Sequence, residues 1–326
     1  MPLKVLIVTP AKPGSRHGNR LTAMRWARHL RGAGHEVDVV TDAAEAPPKR
    51  AHDLMIALHA RKSAGAVAAW KSNPLRPLIL VLTGTDVYHD IIENADAQAS
   101  LRLADRLVLL QSEALKELAP PLQAKTSVIY QSVAPVARLV PPLRYVLITV
   151  IGHLREEKDP FRAALALRHL PAQSRVRVVH LGGAMSEPMA VEARARAAAD
   201  PRYRWLGNLP HGEALRWLAR SHAMVISSRI EGGAHVVSEA IAAGVPVLAS
   251  HIPGNVGLLG PNYPGYFPLG DEAALAHFIG RIETDRRFGL VLAHAVSARR
   301  HLVDAAAERD AVLGLVRDVV LHCKVH

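Results

Sequence analysis

The segment Glu231-Gly-Gly-Ala-His-Val-Val-Ser-Glu239 sets two glutamates eight positions apart. The apolar run before it, residues 223–228, is typical of a buried strand, and residues 239–244 have the pattern of a helix that ends at a glycine. The segment therefore opens a helix at the carboxyl end of a strand, which is where open α/β sheets bind their ligands.

The residue types in this segment suit the parts of a nucleotide sugar. A helix start presents unpaired backbone N–H groups to a phosphate, and Gly232 and Gly233 let the backbone come close to a ligand. Glu239, about one and a half turns into the helix, can accept two hydrogen bonds from a ribose diol. Glu231, at the strand end, can do the same for a sugar hydroxyl. The alternative interpretation is a solvated helix glutamate beside a glycine turn.

Two further loops follow predicted strands and carry residues suited to a diphosphate. Arg155 and Lys158, in residues 151–160, come after a glycine and before a helix, so both can reach phosphate oxygens. Residues 180–183 end in two glycines, where the backbone can approach a ligand. Each loop alone is equally well explained by solvated charges, but three such loops at consecutive strand ends are much less expected by chance.

Apolar strand-like runs alternate with helical runs along the whole chain, which predicts parallel sheets covered on both faces. Residues 132–145 contain three prolines, break the pattern, and are interpreted as an interdomain linker. The predicted fold is α/β, with two doubly wound Rossmann-like domains facing a central cleft. We assign residues 1–138 to an acceptor domain and 143–326 to a nucleotide-sugar domain, whose last helix could pack back on the first.

Composition excludes several classes of protein. The chain has 326 residues, 49% of them hydrophobic, and no apolar run approaches the roughly 18–20 residues of a membrane span. Cys323 is the only cysteine, so internal disulfides are impossible and a reducing cytoplasm fits. The net charge of +11 is spread along the chain and only 4% of residues are aromatic. This pattern favours small anionic ligands over nucleic acid.

The second half resembles the donor domain of retaining GT-B glycosyltransferases of family 4. Their motif is a Glu, seven residues and a second Glu, followed by A-x-G-x-P-V, here residues 242–247. The family's G-R-L-x-x-x-K element corresponds to residues 152–158, with His153 where arginine is usual. From this resemblance we assign the donor-binding residues as Gly152, His153, Gly182, Gly183, Gly232, Gly233, Ala234, His235, Val236 and Glu239. The catalytic candidates are Arg155, Lys158 and Glu231, together with His17 from a loop of the first half.

The strand ends of the first half carry cationic and hydroxyl side chains, not the apolar and basic surface expected for a lipid acceptor. They suit a small anion, although several could simply face solvent. The predicted acceptor-binding residues are Ser15, Arg16, Gly18, Asn19, Arg20, His59, Arg61, Lys62, Thr85, Asp86, Gln131 and Ser132.

Taken together, the loops PGSRHGNR, LHARKS, GHLREEKDP and SSRIEGGAHVVSEA resemble the selenosugar synthases of selenoneine biosynthesis (SenB type). The resemblance implies transfer of a sugar from a UDP-sugar, typically UDP-N-acetylglucosamine, to selenophosphate, and a functional link to the other enzymes of that pathway. A C–Se bond forms, and UDP and phosphate are released. It implies neither a cofactor nor an essential metal. Selenium is already a deprotonated nucleophile, so catalysis would depend on positioning and on stabilising the departing UDP. The helix start, expected at Gly233, would act there with Arg155 and Lys158.

The residues leave alternative functions open. A family 4 transferase with a hydroxyl acceptor should need a base, for which Asp86, His17 and His59 are candidates. A non-catalytic nucleotide-sugar binder would show no turnover, and a nucleic-acid binder would weaken steeply with salt. A nucleotide-sugar epimerase on the same fold would need no acceptor.

Overall fold

The computed structural model describes residues 2–14, 18–42, 45, 51–84 and 86–325, without the side chains of 322–325. The candidate residues Ser15, Arg16, His17 and Thr85 lie outside these described residues. The chain divides into two compact units. The first unit contains Met1–Ser132 and Asp304–His326, and the second unit contains Val133–Val303.

This division differs from the predicted domain limits in two places. Residues 133–138 belong to the second unit, where the Leu139 N–H donates to the Ala219 carbonyl at 3.0 Å and the Arg138 guanidinium donates to the Ser221 carbonyl at 2.6 Å. Residues 304–326 belong to the first unit, because the apolar face of the last helix completes that unit's core.

Each unit is built on a six-stranded sheet, and all strand pairs are parallel. The strands of the first unit are β1 (Lys4–Val8), β2 (Glu36–Val40), β3 (Leu54–Leu58), β4 (Leu78–Leu82), β5 (Arg106–Leu109) and β6 (Thr126–Val128). Those of the second unit are β7 (Val146–Ile151), β8 (Val176–Leu181), β9 (Tyr203–Trp205), β10 (Ala223–Ile226), β11 (Val247–Ser250) and β12 (Tyr266–Phe267). Strands alternate with helices along the chain and the sheets are parallel, which confirms the predicted alternation.

Helices connect these strands. The α-helices are α1 (Gly18–Gly32), α2 (Ala64–Trp70), α3 (Ile91–Glu93), α4 (Ala95–Leu103), α5 (Pro120–Gln123), α6 (Arg162–Ala166), α7 (Glu187–Ala199), α8 (His211–Ala219), α9 (His235–Ala243), α10 (Pro253–Leu259), α11 (Glu272–Thr284), α12 (Arg286–Ser297) and α13 (Ala305–Val325). A π-helix spans Asp86–Asp90, and short 3₁₀ turns span Glu113–Glu117, Glu156–Lys158, Leu167–His169 and Arg300–Val303. Within the described part of the chain, no helix combines the length and apolar character needed to cross a membrane.

The core of the first unit lies on both faces of its sheet. The central strands β3 and β4 read LMIAL and LILVL and are buried at every position, as expected for parallel strands covered on two sides. On one face, Trp26 and Leu30 of α1 pack with Val316 and Val320 of α13. The last helix is therefore part of this core.

Strand order locates the point in each sheet where ligands usually bind. The second sheet has the order β12-β11-β10-β7-β8-β9, so the direction of strand addition reverses between β7 and β10. The first sheet has the order β2-β1-β3-β4-β5-β6 and reverses between β1 and β3. In doubly wound sheets the crevice outside the strand ends at this reversal is the usual ligand site.

The helix after β10 begins later than predicted. It starts at His235, not at Gly233, because Gly232 and Gly233 form a bend ahead of it. Its other end is as predicted: Gly244 adopts the left-handed conformation, with φ +65°, that closes a helix.

Candidate functional site

A pocket that is partly open to solvent lies in the second unit, where β7 and β10 end. This is the reversal point of that sheet, the position at which a ligand is expected. Residues predicted for the site line it: Gly152, His153, Lys158, Glu231 and Val236.

Lys158 and Glu231 form an ion pair at this pocket. The Lys158 Nζ donates to Glu231 Oε1, and the Ser228 hydroxyl donates to the same oxygen at 2.6 Å. The Lys158 side chain is 22% exposed and the Glu231 side chain 9%. An ammonium has three donors and a carboxylate two oxygens, so the pair can still offer N–H groups to a phosphate and Oε2 to a hydroxyl.

The turn that carries Lys158 is held in place by hydrogen bonds. The Ser227 hydroxyl donates to the Asp159 carbonyl at 2.8 Å, which ties the turn to the end of β10. Asp159 itself is left-handed, with φ +43°, a conformation that costs a non-glycine residue about 1–3 kcal/mol. Arg162 Nε holds the Asp159 carboxylate at 2.8 Å. Arg155 precedes this turn and lies exposed, outside the pocket lining.

The glycines after β8 serve close contact between two loops. Gly182 has φ +149°, and a Cβ there would lie 2.0 Å from the Gly152 carbonyl oxygen. The Gly183 N–H donates to His153 Nδ1 at 3.2 Å. These glycines therefore let the loop after β8 rest directly on the loop after β7.

His180 is a buried pocket residue that the sequence did not indicate. Its Nε2 lies 3.1 Å from the Gly152 carbonyl and its Nδ1 3.1 Å from the Tyr203 hydroxyl. A carbonyl only accepts, so we assign the proton to Nε2 and a hydrogen bond from Tyr203 to Nδ1. Burial lowers the pKa of His180 to about 4, so the ring is neutral at physiological pH and anchors Gly152.

Glu239 is buried one turn into α9, next to the start of that helix. Its Oε1 lies 2.6 Å from His211 Nε2 and 3.6 Å from His235 Nε2. The helix start has no acidic residue in its first turn and no side-chain cap from Ala234. It is therefore suited to an anion.

In the first unit, His59, Arg61 and Asp86 come together at the ends of β3 and β4. His59 is buried in the left-handed conformation, with φ +74°; its Nδ1 lies 3.9 Å from Asp86 Oδ2 and its Nε2 3.8 Å from Asp90 Oδ2. Burial lowers the pKa of His59, outweighing the effect of Asp86 and Asp90. Arg61 Nε lies 3.1 Å from Asp90 Oδ2 without the alignment of a hydrogen bond.

Several predicted acceptor residues have structural partners. Asp86 is fully buried and accepts the backbone N–H groups of Ala60, Thr83 and Gly84. Its carboxylate therefore fixes the loops after β3 and β4.

Gln131 and Ser132 are likewise turned into the core of the first unit. Gln131 donates to the Thr22 hydroxyl at 2.9 Å. Both the N–H and the hydroxyl of Ser132 donate to Glu308, which also accepts from Arg25 Nε at 2.7 Å. Burial alone would raise the pKa of Glu308, but the bonds from Arg25 and Ser132 lower it below its ordinary value.

The remaining acceptor candidates lie at the surface or near it. Lys62 is exposed, and Gly18, Asn19 and Arg20 form the first turn of α1. Arg20 Nη1 is buried and has no hydrogen-bond partner among the described residues. It is a donor that an anion could satisfy.

Sequence reasoning missed His180, and it also missed Asp90, His211 and Glu308, whose partners lie on other elements of the fold. No local sequence pattern distinguishes these residues from ordinary polar residues. Among the described residues, no three His, Cys, Asp or Glu side chains gather in a way that could hold a metal ion.

Two doubly wound parallel sheets, with a cation–carboxylate pocket at the reversal point of the second, define an α/β protein of the GT-B type. Residues 137–306, a little over half of the 326, match the sequence model of the family Glycosyl transferases group 1, and the chain belongs to that family. No curated protein matches the sequence significantly.

Solved structures show the same fold at low sequence identity. HepE of Anabaena, in complex with UDP and glucose, is 16% identical with a TM-score of 0.77, over 97% of this chain and 100% of that one. Sucrose-phosphate synthase of Thermosynechococcus elongatus is 16% identical with a TM-score of 0.82, over 99% and 100%. A glycosyltransferase of Rickettsia africae is 14% identical with a TM-score of 0.75, over 98% and 99%.

Proposed function

We propose that this protein is a cytoplasmic selenosugar synthase that uses UDP-N-acetylglucosamine and selenophosphate. The selenium attacks the anomeric carbon, a C–Se bond forms, and the bond from that carbon to UDP oxygen breaks, releasing UDP. Water then attacks phosphorus and the Se–P bond breaks. Phosphate is released, and the product is a 1-selenosugar.

The observation that carries the donor half is the Lys158–Glu231 pair in the pocket between β7 and β10. Lys158 would bind the diphosphate with the start of α9, and Glu231 Oε2 would accept from a sugar hydroxyl. Glu239 would accept from the ribose diol. The structure of HepE with UDP-glucose, which has the same fold, supports a nucleotide-sugar donor.

The acceptor half is supported by cations and by the loop resemblance. Arg61 and Lys62 are exposed beside the end of β3, and Arg20 Nη1 has no hydrogen-bond partner among the residues that the structure describes. Selenophosphate is a polyanion that carries its own nucleophile, so it needs charge neutralisation more than a base.

One observation favours a hydroxyl acceptor instead. His59 lies within 4 Å of two carboxylates, those of Asp86 and Asp90, and burial keeps it neutral. A neutral histidine beside a carboxylate is the usual form of a general base for a hydroxyl.

The experiment combines purified protein, UDP-N-acetylglucosamine and selenophosphate, with mass spectrometry for UDP and a selenium-bearing sugar. A selenosugar that forms only with all three supports the proposal. UDP release that appears only when a hydroxyl acceptor replaces selenophosphate would support the alternative. Tight UDP binding without turnover would indicate a binding protein. Either of these last two results would overturn the selenosugar proposal.

The acceptor residue can be tested in the same assay. We expect Arg61→Ala to raise the KM for selenophosphate about tenfold and to leave UDP affinity unchanged, since one charged hydrogen bond is lost. Arg102→Ala, which removes an exposed arginine from α4, is the matched control. Unchanged acceptor kinetics in Arg61→Ala would exclude this residue from the acceptor site.

A further inference from the structure

His211 contacts the buried carboxylate that we assign to the ribose. It is the first residue of α8, and its Nε2 lies 2.6 Å from Glu239 Oε1. The His211 side chain is 60% exposed, whereas that of Glu239 is 7% exposed. His211 therefore lies between Glu239 and solvent.

The loop that leads to His211 is attached to the pocket loops. The Gly182 N–H donates to the Gly207 carbonyl at 2.8 Å. The Cβ of Asn208 lies 3.4 Å from where a Cβ on Gly183 would stand. The start of α8 is thus held at the same sheet edge as the predicted donor loops, which makes His211 available to a ligand there.

Both imidazoles near Glu239 approach the same oxygen. His211 Nε2 and His235 Nε2 both contact Oε1, at 2.6 and 3.6 Å. A carboxylate accepts about four hydrogen bonds, so these two contacts leave Glu239 with acceptor capacity for hydroxyl groups. A carboxylate already fixed on one side loses less conformational freedom when a ligand binds to the other.

We infer that His211 is a positioning residue for the nucleoside part of the donor, acting by orienting Glu239 toward the 2′,3′-diol of ribose. This inference rests on the proposed function of the donor site. It assigns a role to a residue outside the family motif, at the start of a different helix.

The test compares the binding of two ligands by titration calorimetry: UDP, and 2′,3′-dideoxy-UDP, which lacks the diol. We expect His211→Ala to weaken UDP by about three- to tenfold, the effect of one hydrogen bond, and dideoxy-UDP by less than about twofold. His211→Gln, whose amide can still donate, should recover most of the loss. Glu213→Ala, an exposed change in the same helical turn, is the control.

Three results would overturn the inference. Equal weakening of both ligands would mean that His211 only supports the local fold. Unchanged UDP affinity would mean that it does not act on Glu239 in the complex, and tighter UDP binding would mean that it competes with ribose. If the wild-type protein binds no UDP at all, the proposed function itself fails, a result distinct from these three.

Discussion

The strand ends of the two units carry similar residue types but use them differently. In the second unit, Lys158 and Glu231 pair with each other at the edge of a pocket and keep donors and acceptors that no described residue uses. In the first unit, Asp86, Gln131 and Ser132 are buried and bonded to backbone or core groups.

The difference shows that position in the topology does not decide whether a polar residue belongs to a site. Both sets follow parallel strands, where ligands are expected. The number of internal partners separates them, because a side chain whose hydrogen bonds are all made inside the fold has nothing to offer a ligand. The comparison can be tested by asking which residues affect stability and which affect activity.

The largest effect is expected from Glu308→Ala, in the first unit. We expect the free energy of unfolding to fall by about 3–5 kcal/mol, because Arg25, whose side chain is only 12% exposed, would lose its buried partner. Urea denaturation measures this. Asp310→Ala, on the exposed side of the same helix, should change stability by less than about 0.5 kcal/mol.

The Glu308 effect also has a predicted pH dependence. The pKa of Glu308 is lowered from its ordinary 4.5, so its contribution is present above pH 4.5 and is lost as the pH falls through the folded-state value. A difference between wild type and Glu308→Ala that persisted at very low pH would contradict the ionic account.

Lys158→Ala, in the second unit, should affect catalysis more than stability. We expect kcat to fall about 100- to 1000-fold, as when one preorganised charge donor to the leaving group is removed. Lys158→Arg should retain part of the activity because it keeps the charge. If Lys158→Ala destabilised the protein as much as Glu308→Ala, without this loss in kcat, Lys158 would be a structural residue and the distinction between the two units would be wrong.

A smaller effect on stability is expected from His180, the buried histidine of the pocket. The pKa of His180 is lowered from 6.5 to about 4, so the folded state is most stable above pH 6.5 and loses stability as the pH falls toward 4. The loss attributable to His180 should reach roughly 3 kcal/mol. Chemical denaturation between pH 7 and 4 should show that the free energy of unfolding depends less on pH in His180→Gln than in the wild type. An NMR titration that gave His180 an ordinary pKa near 6.5 would refute the prediction.

The sequence predicted the fold well because its signals are local. Fully apolar runs such as LMIAL of β3 separated by amphipathic segments specify buried parallel strands, and the order of elements leaves few topologies. The start of α9 was misplaced by two residues, since consecutive glycines are compatible with either a helix start or a bend. The place of α13 in the first unit could only be allowed for, because its partners on α1 lie almost 300 residues away.

The candidate site was predictable where its residues share one loop or one turn of helix. Glu231 and Glu239 are related by their spacing in the sequence. Lys158 follows β7, one of the two strands at the reversal point of the sheet. The partner of Glu239 in another helix, His211, could not be found, because the contact depends on how two loops pack. For the same reason the sequence could not distinguish Gln131 and Ser132 from exposed polar residues.

The contribution of α13 to the first unit has a consequence during synthesis. Residues 1–132 emerge first, but their core stays incomplete until residues 304–326 follow. The intervening 133–303 form a continuous unit, and at about 5–20 residues per second their translation takes roughly 10–30 s. Of the two units, the one whose synthesis begins earlier is therefore the one that finishes folding later, and in that interval the apolar face of α1 lacks its partner helix.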